Sequence, residues 1–384
     1  KNYIIFFLWI ISSVLFYFYV NEKYGNPPRY GMFDWNRYKD GAIDLLNLKI
    51  PNWPSYYFFS YCLYLALSIK IFFPYLTLVI AIFLNLISSF LVFNISTKLF
   101  NNTAAFISLL IFLFYPYYQM WVFFIQPVTF FSFCLLFVLY SVVNFENNRK
   151  KIIILFVSLI LAFTARPNGV TEVISVYIFL IIFYLSINKK KAFSIIILGI
   201  PIIYLLLIFL NNSMSIQNVY DAWYITEMQE FGFKNNLEYK NNNFKVCLGM
   251  TPTEILNLEH ENAPDSNLSF WICSLFSSPL DVIKIFFVRF LITISFYKPI
   301  LSLKHNAFSL ITLIPIYIFF FIGLLYNLKL KKIFIFLSLI LALSTIAIHT
   351  VDGDNRVYTA FLPFVFILAS GGIYIVMKKI KILK

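Results

Sequence analysis

The fold of this chain is decided by long stretches without charge, of which Tyr75–Thr97 is the clearest, reading YLTLVIAIFLNLISSFLVFNIST. This stretch exceeds the roughly 20 residues that an α-helix needs to cross the hydrocarbon core of a bilayer. It is apolar on all sides, whereas a transmembrane β-strand alternates polar and apolar side chains over about 10 residues. The pattern therefore predicts a membrane-spanning α-helix.

Composition extends this prediction to the whole chain. Of its 384 residues, 61% are hydrophobic and 12% are charged, and the mean hydropathy is +0.81. Soluble domains carry about 25% charged residues, so this composition excludes a soluble enzyme, a disordered chain and a nucleic-acid binder with a water-facing basic surface. Further apolar stretches are Tyr3–Val20, Tyr56–Ile69, Thr103–Val122, Pro127–Phe145, Ile152–Ala165, Val173–Ile187, Ala192–Leu210, Phe286–Phe296, Phe308–Leu328, Ile333–His349 and Val357–Met377.

The basic residues predict the orientation of these helices, because Lys and Arg concentrate in cytoplasmic loops. Clusters lie at 98, 149–151, 189–191, 329–332 and 378–384. Placing them inside together with Lys1 puts 15 basic residues and one acid, Glu146, in the cytoplasm, and 15 basic residues with 16 acids outside. The net charge of +13 then reflects topology, and no nucleic-acid partner is expected. The inner clusters are interpreted as solvated anchors.

The helices alternate correctly if Tyr56–Phe73 and Pro279–Pro299 do not cross the membrane. We therefore expect an all-α polytopic membrane protein of about ten transmembrane helices, with these two segments as outer-face juxtamembrane helices and both chain ends in the cytoplasm. A different number of crossings by the same helices stays an alternative, since apolar length alone places helix ends poorly.

Arg166 is the most informative residue on the predicted outer face. Ile152–Ala165 rises only about 21 Å at 1.5 Å per residue, so Arg166 is expected below the outer interface. Pro167 and Gly169 interrupt the helix at the same depth. An intramembrane arginine is costly and marks a functional site by default. The alternative is an arginine at a helix end whose charged head reaches the interface.

Two further outer segments carry candidate residues. Asp34 and Tyr38 are four positions apart, which places both on one face of a helix, and the carboxylate can act as a general base toward a sugar hydroxyl. A solvated interfacial helix around Asp40 is the alternative. Near the last span, Arg356 follows Asp352 and Asp354. It either pairs with these acids or leaves its guanidinium free to bind a phosphate.

The order of these features resembles the GT-C glycosyltransferases of the protein O-mannosyltransferase and lipid A aminoarabinose transferase type. The resemblance covers most of the chain outside Asn211–Ser278. It rests on order, spacing and a shared outer side, since no single motif is specific. The matching segments are Asp34 with Tyr38, Pro54–Phe59, Thr97–Phe100, Tyr115-Pro116, Arg166–Gly169, Asn355–Tyr358 and Pro363.

The resemblance implies a site and a mechanism. Asp34 is implied as the catalytic base, and Arg166 and Arg356 as ligands of a lipid phosphate. Many relatives carry an acid where this chain has Gln126, which puts a metal site in doubt. We expect a metal-independent reaction without cofactors, with a divalent cation as the alternative. The residues expected to contact substrate are Tyr38, Asp40, Gln126, Arg166, Asp354, Arg356 and Tyr358.

The implied function is an inverting membrane glycosyltransferase that transfers a sugar from a polyprenyl-phosphate donor to a hydroxyl of a glycan, lipid or protein. The expected partners are this donor, the acceptor and membrane lipids. The expected location is a bacterial inner membrane, with the active site facing the periplasm. The alternatives are an enzyme of the O-antigen polymerase or ligase type, and a flippase-like transporter of lipids or glycans. A transporter would carry charges or broken helices near the midplane and an internal repeat, which the sequence does not show.

Three regions are expected along the chain. Residues 1–210 form an N-terminal GT-C-like transmembrane module with the catalytic first outer loop. Residues 211–305 form an outer loop region with a juxtamembrane helix, and residues 306–384 form the C-terminal transmembrane helices. Cys247 and Cys273 share the outer loop, so a disulfide between them is one possibility and two free thiols are the other.

Overall fold

The computed structural model describes residues 2–25, 35–52, 55–197 and 199, isolated positions between 280 and 294, and residues 303–349 and 356–380. Within these residues there are helices and no β-strand. The α-helices are α1 (Asn2–Tyr24), α2 (Trp35–Leu46), α3 (Phe59–Phe72), α4 (Tyr75–Leu99), α5 (Asn102–Phe114), α6 (Pro116–Gln119), α7 (Pro127–Val143), α8 (Arg149–Ala165), α9 (Val170–Leu185), α10 (Leu303–Leu325), α11 (Leu330–His349), α12 (Arg356–Thr359) and α13 (Leu362–Lys379). Short 3-10 helices span Ser55–Phe58, Met120–Phe123 and Pro167–Gly169.

The predicted all-α polytopic membrane fold is confirmed. Among the described residues, five helical stretches are long and apolar enough to cross a bilayer, and a bent pair makes a sixth. In a bilayer core, backbone N–H and C=O groups have no water to bind, so an apolar chain crosses it as a hydrogen-bonded helix. The five stretches are Asn2–Tyr24, Tyr75–Leu99, Pro167–Leu185, Ala307–Leu325 and Leu362–Lys379. The total of ten crossings stays a prediction.

The chain divides into two compact units. The first comprises residues 1–199, 313–340 and 359–384, and the second comprises residues 200–312 and 341–358. In the first unit α4 packs against α5 and α7, and α13 packs against α4 and α5. Glycines also let α10 approach α13 closely, because a Cβ on Gly323 of α10 would lie 1.9 Å from the carbonyl oxygen of Leu368 in α13. A Cβ on Gly372 of α13 would likewise lie 1.9 Å from the Phe319 oxygen. Such small residues are typical of helix packing in membranes.

The predicted span Thr103–Val122 is not one straight helix. α5 ends before Tyr115, and the stretch from Pro116 to Phe123 leaves it at an angle of 60°. Pro116 has no N–H, so the carbonyl four residues earlier, that of Phe112, loses its helical partner. The Gln119 side chain replaces that partner by donating to the Phe112 oxygen at 2.7 Å. Gln119 in turn accepts a hydrogen bond of 3.0 Å from Asn85 of α4.

The last predicted span, Val357–Met377, is also broken. Turn residues at 360 and 361 separate α12 from α13. Pro363 lies in the first turn of α13, where a missing N–H costs little. A continuous helix would bring its ring against the carbonyl of Thr359, so α13 starts anew just before the proline.

The lysines near 329–332 are not all solvated anchors. Lys332 is 2% exposed, and its ammonium donates to the carbonyl oxygens of Gly323, at 2.8 Å, and Tyr326. It also lies 4.4 Å from the centre of the Phe100 ring. Lys332 therefore caps the carboxyl end of α10, where the helix dipole favours a cation. The neighbouring Lys329 is exposed, as predicted for an anchor.

Candidate functional site

The site is built around Arg166, which follows the last residue of α8. Its backbone is extended, with φ −159° and ψ 151°, as the proline after it requires. Pro167 then opens a single 3-10 turn, closed by a hydrogen bond of 2.9 Å from the Gly169 N–H to the Arg166 carbonyl. This break turns the Arg166 side chain out of the helical path. The side chain is only 8% exposed.

Gly169 holds the turn close against α8. A Cβ at this position would lie 2.0 Å from the carbonyl oxygen of Ala162 and 2.8 Å from the Cα of Phe163. Both are backbone atoms of the preceding helix, so no rotamer change relieves the clash. The glycine of the Arg-Pro-Asn-Gly sequence thus serves packing, and it fixes the place from which Arg166 projects.

The guanidinium of Arg166 lies over an aromatic cluster, which we define as Tyr38, Phe58 and Tyr61. Its central carbon is 6.0 Å from the centre of the Phe58 ring, the range of a cation–π contact. The Tyr38 ring lies 5.0 Å from that of Phe58 and 5.3 Å from that of Tyr61, both edge-on. Arg166 and Tyr38, 128 positions apart, thus both lie against the Phe58 ring.

α2 is attached to this cluster by backbone and small-residue contacts. The Ser55 hydroxyl donates to the Arg37 carbonyl at 2.8 Å. A Cβ on Gly41 would lie 2.7 Å from the Ser55 Cβ and 2.8 Å from the Cys62 sulfur, so the glycine permits a close approach. Tyr38 is thereby held inward, at 1% exposure, while Asp40 on the same helix is exposed.

A small polar cavity adjoins the aromatic cluster. It lies between α3, α4, α7 and the turn at 122–126, and Tyr61 forms part of its wall. The space not filled by atoms is about 300 Å³ including its open mouth, while the enclosed part has room for about one water-sized sphere. Gln126 lines this cavity and is 5% exposed. Three predicted residues are therefore linked through the aromatic cluster. Tyr38 packs on Tyr61, Gln126 lines the same cavity as Tyr61, and Arg166 lies over Phe58.

The structure does not test the position of the other outer residues relative to these three. Asp34 and Asp354 lie outside the described residues, and α2 begins at Trp35, one residue after Asp34. Arg356 begins α12, but its side chain is outside the described part. Tyr358 is buried in the second unit. The common helix face of Asp34 and Tyr38 stays a prediction, and so does the role of Arg356. Cys247 and Cys273 also lie outside the described residues, so the disulfide between them stays a prediction too.

The described residues contain no group of three or more His, Cys, Asp or Glu side chains placed to hold a metal ion. Cys62 and Cys134 are buried free thiols. The outer aspartates fall outside the described ranges, so the expectation of a metal-independent reaction stays a prediction.

Two buried polar residues were not singled out from the sequence. Tyr61 resembles any other tyrosine of an apolar stretch, and only packing distinguishes it. Glu172 is fully buried in α9, where one carboxylate oxygen accepts a hydrogen bond of 3.2 Å from Ser338 of α11. Its signal is visible in the sequence, because it is the only acid between Pro167 and Leu185.

The sequence and the fold were compared with those of known proteins. No family profile matches the sequence, and no curated protein matches it. The fold is similar to that of the archaeal oligosaccharyltransferase AglB from Archaeoglobus fulgidus, solved in complex with an inhibitory peptide and a dolichol-phosphate. The TM-score is 0.52 at 14% identity, covering 99% of this chain and 51% of that one. This chain thus spans about half the length of its structural neighbour. The likeness shows the fold alone, a GT-C-like bundle of membrane helices.

Proposed function

We propose that this protein is a membrane glycosyltransferase that transfers a sugar from a polyprenyl-phosphate donor to an acceptor hydroxyl on the outer face of the membrane. The observation that carries the proposal is the buried guanidinium of Arg166 beside the α2 residue Tyr38. A buried arginine is the side chain best suited to bind phosphate, which it grips through two parallel N–H donors. The GT-C fold adds support, since its neighbour was solved with a dolichol-phosphate.

In the proposed reaction the donor phosphate lies against Arg166, with Arg356 as a second cation. The acceptor oxygen attacks the anomeric carbon, and its bond forms as the bond from that carbon to the phosphate oxygen breaks. Asp34 takes the acceptor proton, and the leaving polyprenyl phosphate keeps the electron pair. Arg166 stabilises the negative charge that develops on this phosphate. A single displacement from the opposite side inverts the anomeric configuration.

The remaining predicted residues take supporting roles in this proposal. Gln126 hydrogen-bonds substrate but cannot act as a base, because the nitrogen lone pair of its amide is delocalised into the carbonyl group. Tyr38, Asp40, Asp354 and Tyr358 contact the donor or the acceptor. The long segment Asn211–Ser278 supplies acceptor recognition. The acceptor is a glycan, a lipid or a protein, and the location is a bacterial inner membrane with the site facing the periplasm.

The test uses the purified full chain in nanodiscs with synthetic polyprenyl-phosphate sugars and a panel of glycan, lipid and peptide acceptors. The proposal expects transfer with inversion, read by mass spectrometry and NMR of the product. Asp34→Asn should abolish transfer while its thermal unfolding stays that of the wild type. Glu22→Gln removes an exposed acid at the end of α1 and serves as the matched control.

Two results would overturn the proposal. Turnover by Asp34→Asn at the wild-type rate would remove the assigned base. Donor binding without turnover, accompanied by movement of the lipid between leaflets in proteoliposomes, would favour the transporter instead.

A further inference from the structure

The polar cavity beside the aromatic cluster carries two hydroxyl groups that have no hydrogen-bond partner among the described residues. They are the Tyr61 Oη of α3 and the Thr77 Oγ1 of α4. Tyr61 is 1% exposed and Thr77 is 2% exposed, so bulk water does not satisfy either group. Buried hydroxyls are normally hydrogen-bonded, because an unpaired one loses its bonds to water without replacement. Both residues line the same cavity, so a polar group that enters it is placed to supply the missing hydrogen bonds.

The size of the cavity limits what that group can be. Its enclosed part has room for about one water-sized sphere, which is also the room that one hydroxyl group needs. The rings of Phe123 and Phe130 form apolar parts of the same wall. A phosphate or a charged headgroup is too large for this space, and none of the described lining residues is a cation that would bind it. A neutral hydroxyl fits the space and the hydrogen-bonding groups.

The position of the cavity indicates which molecule brings the hydroxyl. Tyr61 belongs both to the cavity wall and to the aromatic cluster under the Arg166 guanidinium. If the donor phosphate lies against Arg166, the sugar joined to that phosphate lies next to Tyr61. One of its ring hydroxyls then reaches the cavity while the phosphate stays on the arginine.

We propose that this cavity binds one hydroxyl group of the donor sugar and thereby selects the sugar, with Tyr61 and Thr77 as specificity-determining residues. The inference rests on the proposed function and names a determinant of its donor. A site that hydrogen-bonds a substrate hydroxyl rejects the analogue lacking it, because its own buried polar groups then stay unpaired. With two hydroxyls in the wall, we expect discrimination on the order of 10- to 100-fold.

The experiment compares the parent polyprenyl-phosphate hexose with its monodeoxy analogues, each lacking one hydroxyl. The wild type should discriminate strongly against one analogue and weakly against the others. Tyr61→Phe and Thr77→Val remove the cavity hydroxyls at nearly constant shape. In both variants kcat/KM for the parent sugar should fall about tenfold or more, while kcat/KM for that one analogue stays unchanged, so the discrimination collapses.

Ser88→Ala is the matched control, because it removes another buried hydroxyl of α4 that has no partner among the described residues and lies outside the cavity wall. It should keep the wild-type discrimination. Thr77→Val should also bind sugar-free polyprenyl phosphate as the wild type does, since Thr77 lies outside the aromatic cluster. Equal losses with every analogue, or unchanged discrimination in both variants, would overturn the inference.

Binding measurements separate this inference from the proposed function. If the wild type transfers no sugar, competition binding of the same donors still shows whether affinity depends on the hydroxyl proposed to enter the cavity. Affinity that depends on one hydroxyl and on Thr77 would support the cavity and reject the transferase. Affinity that is equal for all analogues would reject the inference, and lack of binding by every donor would reject both.

Discussion

The guanidinium of Arg166 lies 6.0 Å from the centre of the Phe58 ring, although the two residues belong to segments 108 positions apart. Phe58 ends the 3-10 turn that precedes α3, and Arg166 follows the end of α8. The contact places the arginine against the ring that also packs on Tyr38 of α2. The guanidinium is thus held against the aromatic cluster that α2 contributes to, which is where the proposed lipid phosphate would lie.

The charge of Arg166 should therefore be needed for donor binding. Arg166→Gln should lower kcat/KM by on the order of tenfold to a hundredfold, the equivalent of about 1.5–3 kcal/mol for a hydrogen bond to a charged group. Arg166→Lys should recover part of the loss, because a lysine keeps the charge but not the two parallel donors. Titration with polyprenyl phosphate measures the same effect without turnover.

Arg149→Gln is the control for this prediction, since Arg149 is an exposed arginine at the other end of α8. It should bind donor as the wild type does. Equal binding by Arg166→Gln and the wild type would show that the guanidinium serves packing only.

Gly169→Ala should damage both stability and activity. The added Cβ would meet the backbone oxygen of Ala162 at 2.0 Å, so the turn must shift away from α8 and carry Arg166 with it. We expect a loss of about 1–3 kcal/mol, as for other overpacked sites, and a lower affinity for polyprenyl phosphate. Thermal unfolding in detergent and donor titration measure the two effects.

Gly41→Ala is the comparison for Gly169→Ala. Its Cβ would meet side-chain atoms of Ser55 and Cys62, which can move, whereas the atoms facing Gly169 are backbone. The loss at Gly41 should be smaller. A larger loss at Gly41 would contradict the packing role assigned to Gly169.

Gln119→Leu should destabilise the bend at Pro116. The Phe112 carbonyl would lose its donor and the Asn85 side chain its acceptor, which costs about 1–3 kcal/mol for each buried group left unpaired. A double-mutant cycle with Asn85→Leu isolates the bond between the two side chains. The double variant should be less damaged than the sum of the single variants, and strict additivity would show that this bond contributes nothing.

Lys332→Met should destabilise the first unit by about 2 kcal/mol, the upper range for a cation at a helix carboxyl end and for a desolvated cation–π contact. The substitution removes the donor to the Gly323 and Tyr326 carbonyls and the cation over Phe100. Lys329→Met is the control, because Lys329 is exposed in the same cluster. Similar unfolding of the two variants would mean that Lys332 acts only as a topological anchor.

The helices of this protein could be predicted from sequence because one local requirement dominates them. An uncharged stretch such as Tyr75–Thr97 must satisfy its backbone internally in lipid, and a helix does so without reference to the rest of the chain. The observed α4, Tyr75–Leu99, differs from that prediction by two residues at one end. Breaks within the helices were harder to predict. The bend at Pro116 frees the Phe112 carbonyl, and it depends on Gln119 to bind that carbonyl and on Asn85 to hold Gln119 in place.

The sequence by itself determined that the chain is a helical membrane protein, and it singled out Arg166 because a charge beside Pro167 inside an apolar region is costly. Only the tertiary structure decided that Arg166 meets Phe58, that Tyr61 and Thr77 face one cavity, and that Lys332 is buried while Lys329 is not. The reason is physical. Helix formation depends on neighbours a few residues away, whereas burial and pairing of side chains depend on which helices pack together, and that is settled by the shapes of distant segments.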